Sequence, residues 1–180
     1  VLSILSLIIV EIYCFDKNIK ISDLAGCREL LLDRDLNLRN WNFPIKYFMN
    51  NKPKSNERFR MKFYAIGYDL YFFFKTADAI PHDYLAVLSG FSRATCQFQS
   101  EVTGKTVYLQ TVNCQNLTDT IFYTEFDLVI TKDNQLQFFK KGESVPFLSN
   151  DARGTPEITH LAFTRYYHET VDGRLFFDCP

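Results

Sequence analysis

The sequence holds seven glycines, at 26, 67, 90, 104, 142, 154 and 173, and no two of them stand close enough to make a Gly-x-Gly pair. A turn that cradles a phosphate or a dinucleotide needs clustered glycines so that backbone N–H groups can approach the ligand. No such turn is written here, and no cofactor is expected. Gly104-Lys105-Thr106 matches only the end of a P-loop, because Gln99 stands where the first glycine belongs. Gly104 reads instead as a hairpin turn. Basic charge is also scarce: twenty Lys and Arg against twenty-one Asp and Glu leave a net charge of −1. A nucleic-acid partner needs a basic face, so none is expected.

Histidine is sparse too. His82, His160 and His168 fall on separate segments with no ligand spacing, and His168-Glu169 lacks the second histidine of a zincin helix. No metal and no catalytic residue is read. Gly90-Phe91-Ser92-Arg93-Ala94 resembles a nucleophile elbow in part. Ala replaces its last glycine, and the next stretch, Thr95–Gln99, reads as a strand where the elbow requires a helix. A loop between strands is the reading carried forward.

Long apolar runs are confined to the start. Residues 1–10, VLSILSLIIV, carry no charge, too short a run to span a membrane but of the size of a secretory signal core. A signal over 1–15 that begins upstream of Val1 is expected, with no stable membrane span after it. A buried first strand is the competing reading. Beyond Cys14 stand four cysteines, Cys27, Cys96, Cys114 and Cys179, an even number that suits two disulfides in an exported domain. Cys96 and Cys114 flank the turn at Gly104 on neighbouring strand candidates, which favours their pairing. Cys27–Cys179 then closes a long loop, with a nominal gain of roughly 4 kcal/mol. Asn116-Leu117-Thr118 is a glycosylation sequon, meaningful on the secretory path. The expected location is extracellular.

What the chain has in abundance is aromatic, eighteen Phe and ten Tyr, and these bulky residues favour pleated, half-buried surfaces. Phe59, Met61 and Phe63 alternate with Arg58, Arg60 and Lys62, the period of a strand with one wet face. Phe126, Leu128 and Ile130 repeat the pattern, Asp133-Asn134 supplies a tight turn, and Leu136 and Phe138 resume it as a hairpin. Phe72-Phe73-Phe74 suggests burial on both faces. Further strands are expected at Trp41–Phe48 (held to an edge by Pro44), Tyr84–Leu88, Thr95–Gln99, Thr106–Val112, Ile121–Ile130, Ile158–Thr164 and Leu175–Asp178. Ser22–Asn40 reads as a short amphipathic helix or as extended chain. Many short strands with close turn signals predict an all-β, antiparallel β-sandwich or jelly-roll-like single domain. Residues 16–57 are expected to pack on it as an N-terminal segment, and 58–180 to form the sandwich.

The run Phe126–Ile130, Asp133-Asn134, Leu136–Phe138, Gly142, Pro146-Phe147-Leu148 and Asp151 resembles the farnesoic acid O-methyltransferase-like domain of arthropod proteins. Phe72–Ala79 and the closing segments Ile158–Phe163 and Gly173–Phe177 extend the resemblance over about Arg58–Cys179. The family's hairpin Trp and its late Gly-Trp-Gly are missing, with Thr164-Arg165-Tyr166-Tyr167 standing at the latter. The family name implies methyl transfer to a farnesoic-type acid, and that is one functional reading. The residues themselves favour another: a secreted, non-catalytic module that recognises a carbohydrate or a small apolar ligand. A structural or protein-interaction domain is the third. The candidate ligand residues are Arg165, Tyr166, Tyr167 and His168, on a loop between two strands, together with Trp41.

Overall fold

The computed structural model describes residues 19–32, 42–76, 84–102, 105–153, 155–165 and 173–180. In chain order its strands are β1 (Arg28–Leu32), β2 (Phe43–Pro44), β3 (Glu57–Ile66), β4 (Leu70–Lys75), β5 (Tyr84–Ser89) and β6 (Thr95–Val102). There follow β7 (Lys105–Asn113), β8 (Thr124–Thr131), β9 (Gln135–Lys140), β10 (Leu148–Asp151), β11 (His160–Arg165) and β12 (Gly173–Phe177). They form two antiparallel sheets of six strands, ordered β1-β12-β3-β8-β9-β10 and β2-β11-β4-β5-β6-β7. The protein is an all-β sandwich, as the alternating pattern predicts. Each sheet takes one edge strand, β1 or β2, from the segment before Arg58.

The alternation of β3 sets the core. Phe59, Met61 and Phe63 are all but inaccessible to solvent, while Arg58, Arg60 and Lys62 are half-buried on the other face. On β4 the three consecutive phenylalanines split between faces: Phe72 and Phe74 join the main core, and Phe73 packs outside with Leu85, Val87 and Ala162. The inter-sheet space is filled by phenyl rings in tilted and edge-on contact, the arrangements that the ring quadrupole favours. Phe138 sits at their centre, its ring centroid 5.2 Å from Phe72, 5.9 Å from Phe98, 6.2 Å from Phe63 and 6.3 Å from Phe74 and Phe147.

The predicted hairpin forms, with Leu128 opposite Phe138 and Ile130 opposite Leu136. Its turn is closed by the Asn134 N–H on the Thr131 carbonyl at 3.0 Å. Asn134 adopts φ +69°, a left-handed conformation that asparagine tolerates. Both disulfides carry the pairing read from the sequence, Cys96–Cys114 with Cα atoms 5.7 Å apart and Cys27–Cys179 at 4.2 Å.

Three expectations change. The strand foreseen over Trp41–Phe48 is only Phe43–Pro44 among the described residues, because the chain then closes a 3₁₀ turn over Ile45–Tyr47. The strand foreseen from Ile121 begins at Thr124. Gly90–Arg93 is a single helical turn between β5 and β6. A Cβ on Gly90 would stand 2.9 Å from a Val87 methyl, so close packing demands glycine there. The next element is a strand, so the elbow geometry does not arise.

Candidate functional site

The N-terminal segment crosses one end of the sandwich as a strap, and a cleft opens between this strap and the chain entering β11. The strap begins at β2, which pairs with β11 through Phe43 opposite Leu161 and Pro44 opposite His160. Pro44 has no N–H to extend a ladder, and the strand stops. Ile45 then donates its N–H to the Thr159 carbonyl at 2.9 Å, and Phe48 N–H bonds back to Ile45 at 3.2 Å. This tight turn sends alternate side chains to opposite fates. Phe48 plunges inward, 5.2 Å edge-on from Phe59 and 5.9 Å from Phe177. Tyr47 stays 63 % exposed, with the Lys46 ammonium 5.0 Å from its ring centroid.

Beyond Phe48 the strap is tied to the end of the last strand. The Asp178 carboxylate accepts the N–H groups of Met49 at 2.9 Å and Asn50 at 2.7 Å, and the Asn50 side chain donates to the Asp178 carbonyl. Asp178 is buried and its neighbour Cys179 is disulfide-bonded to Cys27. Asn51 follows, its side-chain carbonyl accepting the Arg60 N–H at 2.8 Å.

Arg58 on β3 builds the opposite wall. Its guanidinium donates to Glu157 at 2.7 Å, to the Ile158 carbonyl at 2.8 Å and to the Asn134 side-chain oxygen at 2.8 Å. The Asn134 amide in turn donates to Thr155 at 3.0 Å and to the Pro156 carbonyl at 3.1 Å. The turn residue of the central hairpin thus fixes the segment that carries Glu157. The Thr159 hydroxyl donates to the Thr76 carbonyl at 2.8 Å, and its oxygen lies 2.8 Å from His160 Nδ1.

These walls enclose a cleft of about 750 Å³, within the roughly 300–1,000 Å³ range of small-molecule sites. Ile45, Phe48 and Ile158 supply its apolar surface, and Lys46, Asn51, Arg58, Glu157 and His160 its polar groups. The set mixes apolar surface with hydrogen-bonding groups, the combination that ligand-binding clefts show. Among the described residues no cluster of three or more His, Cys, Asp or Glu is placed to hold a metal ion.

Of the sequence-predicted ligand residues, Arg165 ends β11 and is buried, 6 % exposed. It lies at the other end of β11 from His160, about 17 Å away at the usual strand rise. Tyr166, Tyr167, His168 and Trp41 lie outside the described residues. Sequence reasoning passed over Lys46, Tyr47, Asn51, Arg58, Glu157 and His160. Lys46, Tyr47 and Asn51 were signalled only by an aromatic stretch interrupted by Pro44 and followed by a polar turn, and His160 was weighed only as a metal ligand.

Asn116 is exposed, with φ +60°, while Thr118 of the same sequon is 2 % exposed and its hydroxyl donates to Ser89 Oγ at 2.7 Å. Among the described residues no helix is long and apolar enough to cross a membrane. No protein-family model matches the chain, and no curated protein sequence matches it.

Proposed function

We propose that this protein is an exported, non-catalytic recognition module that binds a carbohydrate in the cleft between the strap and β11. The observation that carries this reading is the pairing of an exposed tyrosine ring, Tyr47, with polar groups already held in place by the fold. Sugars present both an apolar ring face, which stacks on aromatics, and a rim of hydroxyls, which needs positioned hydrogen-bond partners. A small apolar ligand is less well served: it would desolvate Lys46, Asn51 and Glu157 with nothing in return. The two disulfides fit an oxidising compartment. Because the Thr118 hydroxyl is buried, a glycan on Asn116 would be added before this part of the chain folds. The resemblance to the farnesoic acid O-methyltransferase-like domain favours the same sandwich, and kinship with those arthropod proteins is part of this proposal. Methyl transfer draws no support from the cleft, which has no clustered glycines to receive S-adenosylmethionine.

Isothermal titration of the full chain with chitohexaose, cellohexaose, tetragalacturonate, palmitate and S-adenosylmethionine tests this. Saccharide binding that is lost in Tyr47→Ala is expected. Binding of palmitate with no saccharide response would overturn the reading, and micromolar affinity for S-adenosylmethionine would replace it with methyl transfer.

A further inference from the structure

The hydrogen bonds lining the cleft are unevenly spent, and this asymmetry bears on what can bind. Its acceptors are largely consumed by the protein. The Ile158 carbonyl takes Arg58, the Thr159 carbonyl takes the Ile45 N–H, and the Asn51 side-chain oxygen takes the Arg60 N–H. The Thr159 hydroxyl is occupied by the Thr76 carbonyl and by His160 Nδ1, each at 2.8 Å. Glu157 is the one carboxylate among the lining residues; Arg58 takes its Oε1 at 2.7 Å and matches its charge, and its second oxygen is left to solvent.

The donors are spent differently. With its oxygen engaged, Asn51 has its amide NH₂ left to offer. Lys46 makes no ion pair among the described residues, and its ammonium lies beside the exposed Tyr47 ring. Once Arg58 and Glu157 cancel, the remaining formal charge of the lining is that of Lys46. A neutral sugar, whose hydroxyls both donate and accept, would find few free acceptors here. An anion, which only accepts, matches the surplus.

We infer that the ligand of this cleft is an acidic saccharide, one carrying a carboxylate or a sulfate ester. Its anionic group is received by Lys46 and Asn51, and its ring lies against Tyr47. This rests on the carbohydrate reading above and narrows it. Full-chain protein is titrated with tetragalacturonate, a chondroitin sulfate tetrasaccharide and neutral chitotetraose, at low and at moderate salt. At least one acidic oligosaccharide should bind about tenfold more tightly than the neutral one, the gain of a charge-assisted contact. That advantage should shrink with salt and vanish in Lys46→Gln, while Lys105→Gln, on exposed β7, leaves it intact. Tetragalacturonate carries carboxylates alone and the chondroitin sulfate carries both groups, so binding of tetragalacturonate shows that a carboxylate suffices. If chitotetraose binds as tightly and Lys46→Gln changes nothing, the carbohydrate reading stands and the acidic ligand is excluded. Equal losses in the two lysine variants would reduce the effect to diffuse surface attraction and overturn the assignment. Should no saccharide bind at all, both readings fall.

Discussion

The interior around Phe138 and the strap over Ile45–Asn51 are two regions of one sandwich held by different forces. In the interior, phenyl rings touch phenyl rings at 5–6 Å, and stability comes from area removed from water. The strap's apolar anchorage is limited to Phe43, Ile45 and Phe48. It is held by directional bonds to Asp178, Thr159 and Arg60, supplied by strands that the core has already fixed. The first region determines that the chain folds. The second is a surface whose residues are free to serve a ligand because the fold does not depend on most of them.

The comparison breaks most severely at Phe138→Ala, which removes a ring touching five others. A loss of about 3–5 kcal/mol is expected, the usual range for truncating a buried phenylalanine. Urea unfolding followed by intrinsic fluorescence measures it. A loss below about 1 kcal/mol would show that the rings repack freely and that the interior is not the rigid partner.

The disulfide Cys27–Cys179 joins the two regions, since it ties β1 to the residue next to Asp178. Replacing both cysteines by serine should cost about 2–5 kcal/mol, because the loop it closes spans most of the chain. Exchange of the Met49 and Asn50 amides should rise more than that of β8 and β9, which hydrogen exchange by mass spectrometry resolves. Equal acceleration everywhere would mean that the strap has no separate stability.

Asp178→Ala attacks the strap alone. It leaves two N–H groups without their carboxylate, at an expected cost of about 2 kcal/mol. Protease susceptibility near Lys46 should increase while the near-ultraviolet signal of the core persists. Unchanged cleavage would show that Phe48 suffices to hold the strap.

Both regions were differently legible in the sequence, and the reason is physical. Period-two alternation is a local signal, and Phe59-Arg60-Met61-Lys62-Phe63 announces an interior strand whatever lies opposite. The hairpin turn at Asp133-Asn134 is equally local, and parity with spacing indicated the disulfides. The cleft is assembled from three segments, near 45–51, at Arg58 and at 157–160, that only the β2–β11 pairing brings together. Nothing in the sequence announces that Asn134, read as a turn residue, also orients Arg58 from 76 positions away. Arg165 misled for the opposite reason: beside tyrosines it read as a loop residue, whereas the sheet extends through it and buries it.

A gentler perturbation is acid. Glu57 opens β3 and is buried, bonded to Arg60 and to the Lys54 N–H at 2.8 Å. Burial alone would raise its carboxyl, but the bonds and charges of Arg60 and the Lys54 amide outweigh burial and hold it below its ordinary value of 4.5. A depressed carboxyl contributes stability that is present above its unfolded value and lost as the pH falls through its folded value. The wild-type protein should therefore weaken below about pH 4.5, and Glu57→Gln should flatten that part of the profile. Thermal midpoints measured from pH 6 to pH 3 give the comparison. Parallel curves for the two proteins would remove Glu57 from the account.

The smallest effect on stability belongs to Tyr47→Ala, and it draws the sharpest line between the two regions. Tyr47 is 63 % exposed and its nearest charged neighbour, Lys46, also faces solvent. Exposed substitutions of this kind usually stay within about 0.5 kcal/mol, so the thermal midpoint should hardly move. Binding of the acidic tetrasaccharides should nevertheless weaken by more than about 1 kcal/mol, because a stacking face is lost from the lining of the cleft. Conservative replacement by Phe should keep most of the affinity if the ring face carries the contact, and little of it if the hydroxyl does. A Tyr47→Ala protein that melts several degrees lower and binds normally would reverse the assignment: the ring would then be part of what holds the strap down.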